Sequence, residues 1–245
     1  MALLQFANVS KTYSRGNHAT RALRDVSLTI EPGTMVAVYG QPGSGKSTLL
    51  RVAAGLEDPD AGTVSFAGEE IVGLSLDQRT RLFRRSIAWF DRAGPRGDSF
   101  RIIDYVALPA TSSGRNGVGM RAARKKAALA LDQVGASEHA SAYWSELSDV
   151  ARMSVALAHA IVREPRLLVL DDPTAGLGIS GRELIMSQLR TLAEESGAAV
   201  LVAVPDASST LRAHEVLAIA RGRLIAPDPP SRGTVVQFPD REQLA

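Results

Sequence analysis

Residues 39–48 read YGQPGSGKST, preceded by the apolar run MVAVY and followed by the helically spaced apolar residues of TLLRVAAGL. The stretch fits G-x-x-x-x-G-K-S/T, a pattern that binds phosphate where a buried strand enters it and a helix leaves it. Gly40, Gly43 and Gly45, with Gln41, Pro42 and Ser44 between them, let consecutive backbone N–H groups turn inward on an anion. Lys46 is placed to reach the terminal phosphate oxygens and Ser47 to offer its hydroxyl to Mg2+, while Thr48 closes the motif at a helix start whose dipole favours negative charge. The bland alternative, a glycine-rich turn that holds nothing, leaves the flanks and a later acidic strand unexplained.

That strand is LLVLDDPTAGLG at 167–178, an apolar run that ends in two carboxylates. At the edge of a sheet such a pair can hold a metal and polarise water. Asp171 joins Ser47 as a candidate metal ligand, and Asp172 joins Lys46 as a candidate catalytic residue, in the role of base. Upstream, Tyr13 in KTYS follows the first strand. Stacking on a nucleobase and simple packing at a strand end are both open to it.

Outward from these motifs the chain divides into three parts. Residues 1–91 and 158–226 alternate strands with helices and form an α/β core whose N-terminal strands, ALLQFANVS and ALRDVSLTI, are antiparallel. Residues 92–157 change character: a loop-like RAGPRGDS leads into MRAARKKAALALDQVG and SELSDVARMSVALAHAIV, both helical. The core then resumes with the strand RLLVLDD, a helix that stops at Gly197, the strand AAVLVAV and a hairpin in VLAIARGRLIA. Residues 227–245 are a Pro-rich tail. There is no internal repeat.

Composition narrows the function classes. The 245 residues are 45% hydrophobic, enough for a substantial core, and the net charge of +2 carries no basic patch that argues for nucleic acid. With no Cys and four scattered His, disulfides and thiolate metal sites are excluded and zinc is argued against. No apolar run approaches the roughly 20 residues of a spanning helix. The expectation is a soluble, cytoplasmic chain without direct membrane insertion, reaching a membrane only through a partner. The basic face of MRAARKKAALAL reads as solvated, and Trp89 and Trp144 as packing residues.

In this order the parts resemble the ATP-binding subunit of an ABC transporter, and more narrowly the lipoprotein-release and macrolide-export branch, over about residues 3–226. The resemblance implies a P-loop NTPase fold of class α/β, with a RecA-like core, an antiparallel β subdomain and a helical subdomain. It makes Tyr13 the adenine platform, 147–151 the signature segment with Ser148 as its donor, 167–171 the magnesium strand and 175–178 the loop crossing to another subunit. The 24 positions from Leu147 to Asp171 and the placing of Pro165 fit that family. ATP and Mg2+ are the implied cofactors. The implied assembly is a head-to-tail dimer on transmembrane permease subunits, at the cytoplasmic face of the plasma membrane.

Five positions depart from the family pattern. Asp172 stands where the family has Glu, one methylene shorter, and a misplacement of about 1 Å can cost on the order of a hundredfold in rate. The switch His falls on Pro205, which has neither imidazole nor N–H. The metal-directed Gln falls on Arg92, or on Asp91 if the count shifts by one; a guanidinium cannot ligate Mg2+ but can pair with phosphate. The signature L-S-G-G-Q reads Leu147, Ser148, Asp149, Val150, Ala151, losing two glycines and gaining a carboxylate that faces anionic phosphate. Gly178 replaces an Asp of the crossing loop.

Drift within a working enzyme explains one such change better than five beside an intact Gly43, Gly45, Lys46, Ser47 and Asp171. The implied function is a degenerate ATP-binding subunit that clamps MgATP with little hydrolysis, paired with a second, distinct ATP-binding subunit and a permease. Its rivals are a hydrolytically competent homodimeric transport ATPase and a soluble ATP-responsive scaffold without a permease.

Overall fold

A computed structural model describes residues 1–16, 18–90, 92–95, 99–111 and 119–225. The alternating N-terminal segments form β1 (Leu4–Arg15) and β2 (His18–Ile30), paired antiparallel from Leu4 opposite Ile30, with register shifts between Phe6 and Thr12. The run MVAVY is β3 (Met35–Tyr39), buried throughout, and the phosphate-loop motif leads into α1 (Lys46–Ala53). β4 (Ala61–Phe66) pairs with β1, and β5 (Glu69–Glu70) completes a four-stranded antiparallel sheet in the order β2-β1-β4-β5.

Next come α2 (Leu76–Arg85) and β6 (Ile87–Trp89), then the helical stretch α3 (Ile102–Ala107), α4 (Met120–Gln133) and α5 (Asp149–Ile161). The chain returns through β7 (Leu167–Asp171), α6 (Ile179–Ser196), β8 (Ala199–Val204) and the hairpin of β9 (Glu215–Ala220) and β10 (Arg223–Ile225). These strands build a six-stranded sheet in the order β10-β9-β3-β8-β7-β6, parallel from β9 to β6 and closed at one edge by antiparallel β10.

The parallel strands are apolar along their central positions, with Asp171 at the end of β7 and Glu215 at the start of β9 as the charged exceptions, because both sheet faces are covered. Val36, Val38, Val169 and Leu201 point to the core shared with α1 and the antiparallel sheet; Ala37, Leu168, Leu170 and Val202 point to the core shared with α3–α6. α6 stops at Gly197, whose left-handed backbone (φ 70°) receives the helix end at no steric cost. This is the expected α/β P-loop architecture with its antiparallel and helical parts.

The helix read over SELSDVARMSVALAHAIV is α5, which runs across residue 157 to Ile161 and packs Val155–Ile161 in the same core as the parallel sheet. α2 was not foreseen: its apolar side is carried by Leu82 and Phe83, only partly buried against the core, and its start is fixed by a capping box between Ser75 and Gln78. The tail 227–245 and the alternative metal-directed residue Asp91 lie outside the described residues. Among the described residues, no helix is long and apolar enough to cross a membrane.

Candidate functional site

Parallel pairing places Tyr39 beside Val204 and Asp171 beside Ala203, so the strands β3, β8 and β7 end together. The residues that follow them, Gly40, Pro205 and Asp172, share one rim at the carboxyl ends of the strands, where open α/β sheets bind ligands. Asp172 turns there in a left-handed conformation (φ 49°) that Asp tolerates, with its N–H donating to the Ala203 carbonyl (3.0 Å).

The phosphate loop is shaped by its glycines. Gly45 has φ 114°, and a Cβ there would meet the Ala22 carbonyl oxygen at 2.3 Å, whereas Gly43 (φ 78°) opens onto space. Gly45→Ala is therefore both strained and in collision with backbone, and Gly43→Ala only strained. Urea unfolding should show a loss of about 3 kcal/mol or more for Gly45→Ala and about 1–2 kcal/mol for Gly43→Ala. Similar losses would contradict this reading of the loop.

Lys46 folds back over the loop, its Nζ donating to the carbonyls of Gly40 (2.5 Å) and Gln41 (3.1 Å). Burial pushes its pKa below the usual lysine value, against the pull of the Asp171 and Asp172 carboxylates. The first turn of α1 has no side-chain cap, and the Ser44 hydroxyl is buried without a hydrogen-bond partner. Uncapped amides, an orphaned hydroxyl, a half-buried cation and the nearby Asp171 make a donor and ligand set that fits a magnesium-bound triphosphate.

Asp172 sits among charges. Its Oδ1 is buried and unpartnered, and burial raises the carboxyl pKa above its usual value; Arg92, Arg182 and Lys46 oppose that rise, and Asp171 adds to it. Because the folded chain holds this proton more tightly than the unfolded one, the ionised carboxylate costs stability at neutral pH, and the cost disappears below the unfolded carboxyl pKa. Asp172→Asn is expected to raise the melting temperature of the ligand-free chain at pH 7, with the gain vanishing toward pH 3. A gain that persists unchanged at pH 3 would place the effect outside this ionisation.

Arg92 does not point toward the loop. Its guanidinium donates to the carbonyl of Ala175 (2.8 Å) and more weakly to that of Asp172 (3.5 Å), bracing the 172–178 loop. The segment carrying it is held from the other side, since a Cβ on Gly94 would run into the Trp144 indole at 2.2 Å. Pro205 is followed by Asp206, which is consumed locally: its Oδ1 accepts from the Ser209 N–H (3.0 Å) and the Ser208 hydroxyl (2.5 Å). Neither residue offers this rim an imidazole.

The signature segment is elsewhere in the chain. Ser148 is the N-cap of α5, accepting from the Ala151 N–H (3.3 Å), and Asp149 pairs with Arg152 (3.3 Å). Val150 packs on the start of α6, where a Cβ at Gly181 would lie 2.8 Å from its methyl. Gly178 is the N-cap of α6 and provides no side-chain acceptor where an Asp could cap the helix. Of these residues, Val150 is the one set against α6, while Ser148 and Asp149 are engaged within α5.

Tyr13 does reach that loop. Its hydroxyl donates to Glu57 (2.6 Å) and lies 3.4 Å from the Thr48 hydroxyl, while the side chain keeps 36% of its surface exposed. Sequence reasoning brought together Tyr13, residues 40–48, Asp171, Asp172 and Arg92. It missed Glu57, Arg182, Gly181 and the Trp144–Gly94 contact, all of which depend on neighbours distant in sequence. Only Arg182, one helical turn after Gly178, carried a readable signal, as a charge at a helix start beside the acidic strand.

Comparison with known proteins agrees with this geometry. The family model described as ABC transporter matches residues 23–175. The lipoprotein-releasing system ATP-binding protein LolD of Shewanella oneidensis is 32% identical over 226 residues, covering 92% of this chain and 97% of that protein. The macrolide export ATP-binding/permease protein MacB of Syntrophobacter fumaroxidans is 31% identical over 245 residues, all of this chain but 34% of MacB. The dimeric structure of the ATP-binding cassette MJ0796, in a post-hydrolysis state with ADP and Pi, has a TM-score of 0.79 at 28% identity, covering 90% of this chain and 96% of that one. This chain belongs to the ABC transporter family, as an ATP-binding subunit of the lipoprotein-release and macrolide-export type.

Proposed function

We propose that this chain holds MgATP for long periods at a two-chain interface and hydrolyses it poorly, while a second, distinct ATP-binding subunit supplies most of the turnover and a permease carries the cargo. One contrast carries the reading. The cradle is complete in Gly40, Gln41, Pro42, Gly43, Ser44, Gly45, Lys46, Ser47 and Thr48, yet at the same rim the guanidinium of Arg92 is committed to the 172 and 175 carbonyls.

In this reading Lys46 would exchange the Gly40 and Gln41 carbonyls for phosphate oxygens, and the N–H groups of 43–48 would donate to the anion. Ser47 and Asp171 would hold Mg2+, whose chemistry there would be to neutralise the charge of the triphosphate. Asp172 has a short reach toward an attacking water, and that distance weakens it as a base. Ser148 offers one hydroxyl to the opposite site, while Asp149, Val150 and Ala151 replace the close backbone approach with a carboxylate and bulk. In a homodimer both sites carry every one of these changes; in a heterodimer they divide. The permease follows from the name of MacB, which couples an ATP-binding part to a permease. Peripheral placement on the cytoplasmic membrane face follows from that partner.

Tagging the chain in its native host, extracting it in mild detergent and identifying copurifying subunits tests the assembly. A second ATPase with a Glu base and an intact signature, together with a permease, is expected. Copies of this chain alone on a permease would favour the homodimer, and absence of a permease the soluble scaffold; either would overturn the proposal.

A further inference from the structure

Glu57 lies in the turn between α1 and β4, outside every motif, and gathers three partners. Its Oε2 accepts from the Tyr13 hydroxyl (2.6 Å) and from Nε of Arg51 (3.3 Å), and its Oε1 is 3.8 Å from Nζ of Lys11. Lys11 is anchored in turn by the Asp60 carboxylate (2.9 Å) and the Asp58 carbonyl (2.8 Å), and its ammonium stands 5.9 Å from the centroid of the Tyr13 ring. On the other side of the Tyr13 hydroxyl is Thr48, the last residue of the phosphate loop.

The phenol is therefore tethered at its tip to α1 and flanked by a fixed cation, yet keeps over a third of its surface open. An aromatic ring gains binding energy from a flat partner only in one orientation, and a ring held beforehand loses less freedom on binding. We infer that Glu57 is a positioning residue: by holding the Tyr13 hydroxyl it fixes the ring relative to the phosphate loop, so that base and triphosphate are engaged together. The inference rests on the reading of Tyr13 as a base platform. It assigns Glu57 no contact with the nucleotide.

The test compares binding of ATP and of inorganic tripolyphosphate, both with Mg2+, to the full-length chain by titration calorimetry. Wild type should bind ATP more tightly than tripolyphosphate. Glu57→Ala should lower ATP affinity by about two- to tenfold while leaving tripolyphosphate affinity unchanged. Tyr13→Phe, which removes the hydroxyl and its contact with Arg51 but leaves Glu57 paired with Arg51 and Lys11, should show the same selective loss. Glu57→Gln, which still accepts from a hydroxyl, should keep most of the affinity, and the double variant Tyr13→Phe/Glu57→Ala should be no worse than either single one.

A merely structural role would move both ligands together, and an equal loss for ATP and tripolyphosphate, or no loss in Tyr13→Phe, overturns the inference. A wild-type chain that binds ATP no more tightly than tripolyphosphate would instead overturn the platform reading beneath it. Failure of both ATP and tripolyphosphate to bind the wild-type chain would overturn both.

Discussion

Lys46→Met is expected to abolish the stabilisation of this chain by MgATP while leaving the ligand-free chain intact. In the structure the ammonium is half-buried, held by two carbonyls, and burial depresses its pKa, so its charge is carried at a cost there. Its removal should shift the unfolding free energy by no more than about 1 kcal/mol. With a triphosphate present, the same cation is the only lysine of the cradle, and losing a half-buried charge pair costs about 2–5 kcal/mol. That corresponds to a drop in affinity of about 30- to 5000-fold. Thermal melts with and without MgATP separate the two effects. A variant that still gains stability from MgATP would mean that nucleotide is held elsewhere.

The second large effect is a gain. Asp172→Glu alone should leave ATP turnover within about threefold, because the longer carboxylate still faces Arg92 and Arg182 and, in the proposed two-chain interface, the opposite site still meets Asp149 and Val150. Adding Arg92→Gln, Pro205→His, Asp149→Gly and Val150→Gly should raise turnover by about a hundredfold or more, since residues that act as a unit contribute only together. Arg92→Gln also frees the carbonyls of Asp172 and Ala175, letting the 172–178 loop adjust. Val150→Gly empties the contact with Gly181, at some cost in stability that unfolding curves will report. If Asp172→Glu alone restores brisk turnover, the remaining substitutions are neutral and the chain is an ordinary ATPase one methylene short of its base.

Much of the molecule could be read from periodicity and motif. The continuous apolar runs at 35–39, 167–171 and 199–204 became buried parallel strands because a sheet covered on both faces demands no polar alternation. The glycine-rich loop lay between strand and helix as its chemistry requires, and Gly197 ended α6. What escaped was of two kinds. α2 buries no residue fully: its apolar side rests on Leu82 and Phe83 within an arginine-rich stretch, and the Ser75–Gln78 capping box that starts it is a signal apolar spacing ignores. The other omissions are partnerships across the chain: Glu57 with Tyr13, Arg92 with the carbonyls of 172 and 175, Val150 over Gly181. A substitution read alone states what a residue has lost. Arg92 reads as a missing metal ligand, and only the folded chain shows where the guanidinium has gone.

The central claim, retained binding with lost turnover, is tested most directly by the identity of the nucleotide the chain holds. Purified full-length protein is mixed with Mg2+ and ATP labelled in the base, freed of unbound nucleotide by rapid gel filtration, and sampled over hours by chromatography. The retained label is expected to remain ATP, and Lys46→Met to retain none. Rapid conversion to ADP that Lys46→Met abolishes would contradict it, and would make Asp172 a competent base despite its short reach.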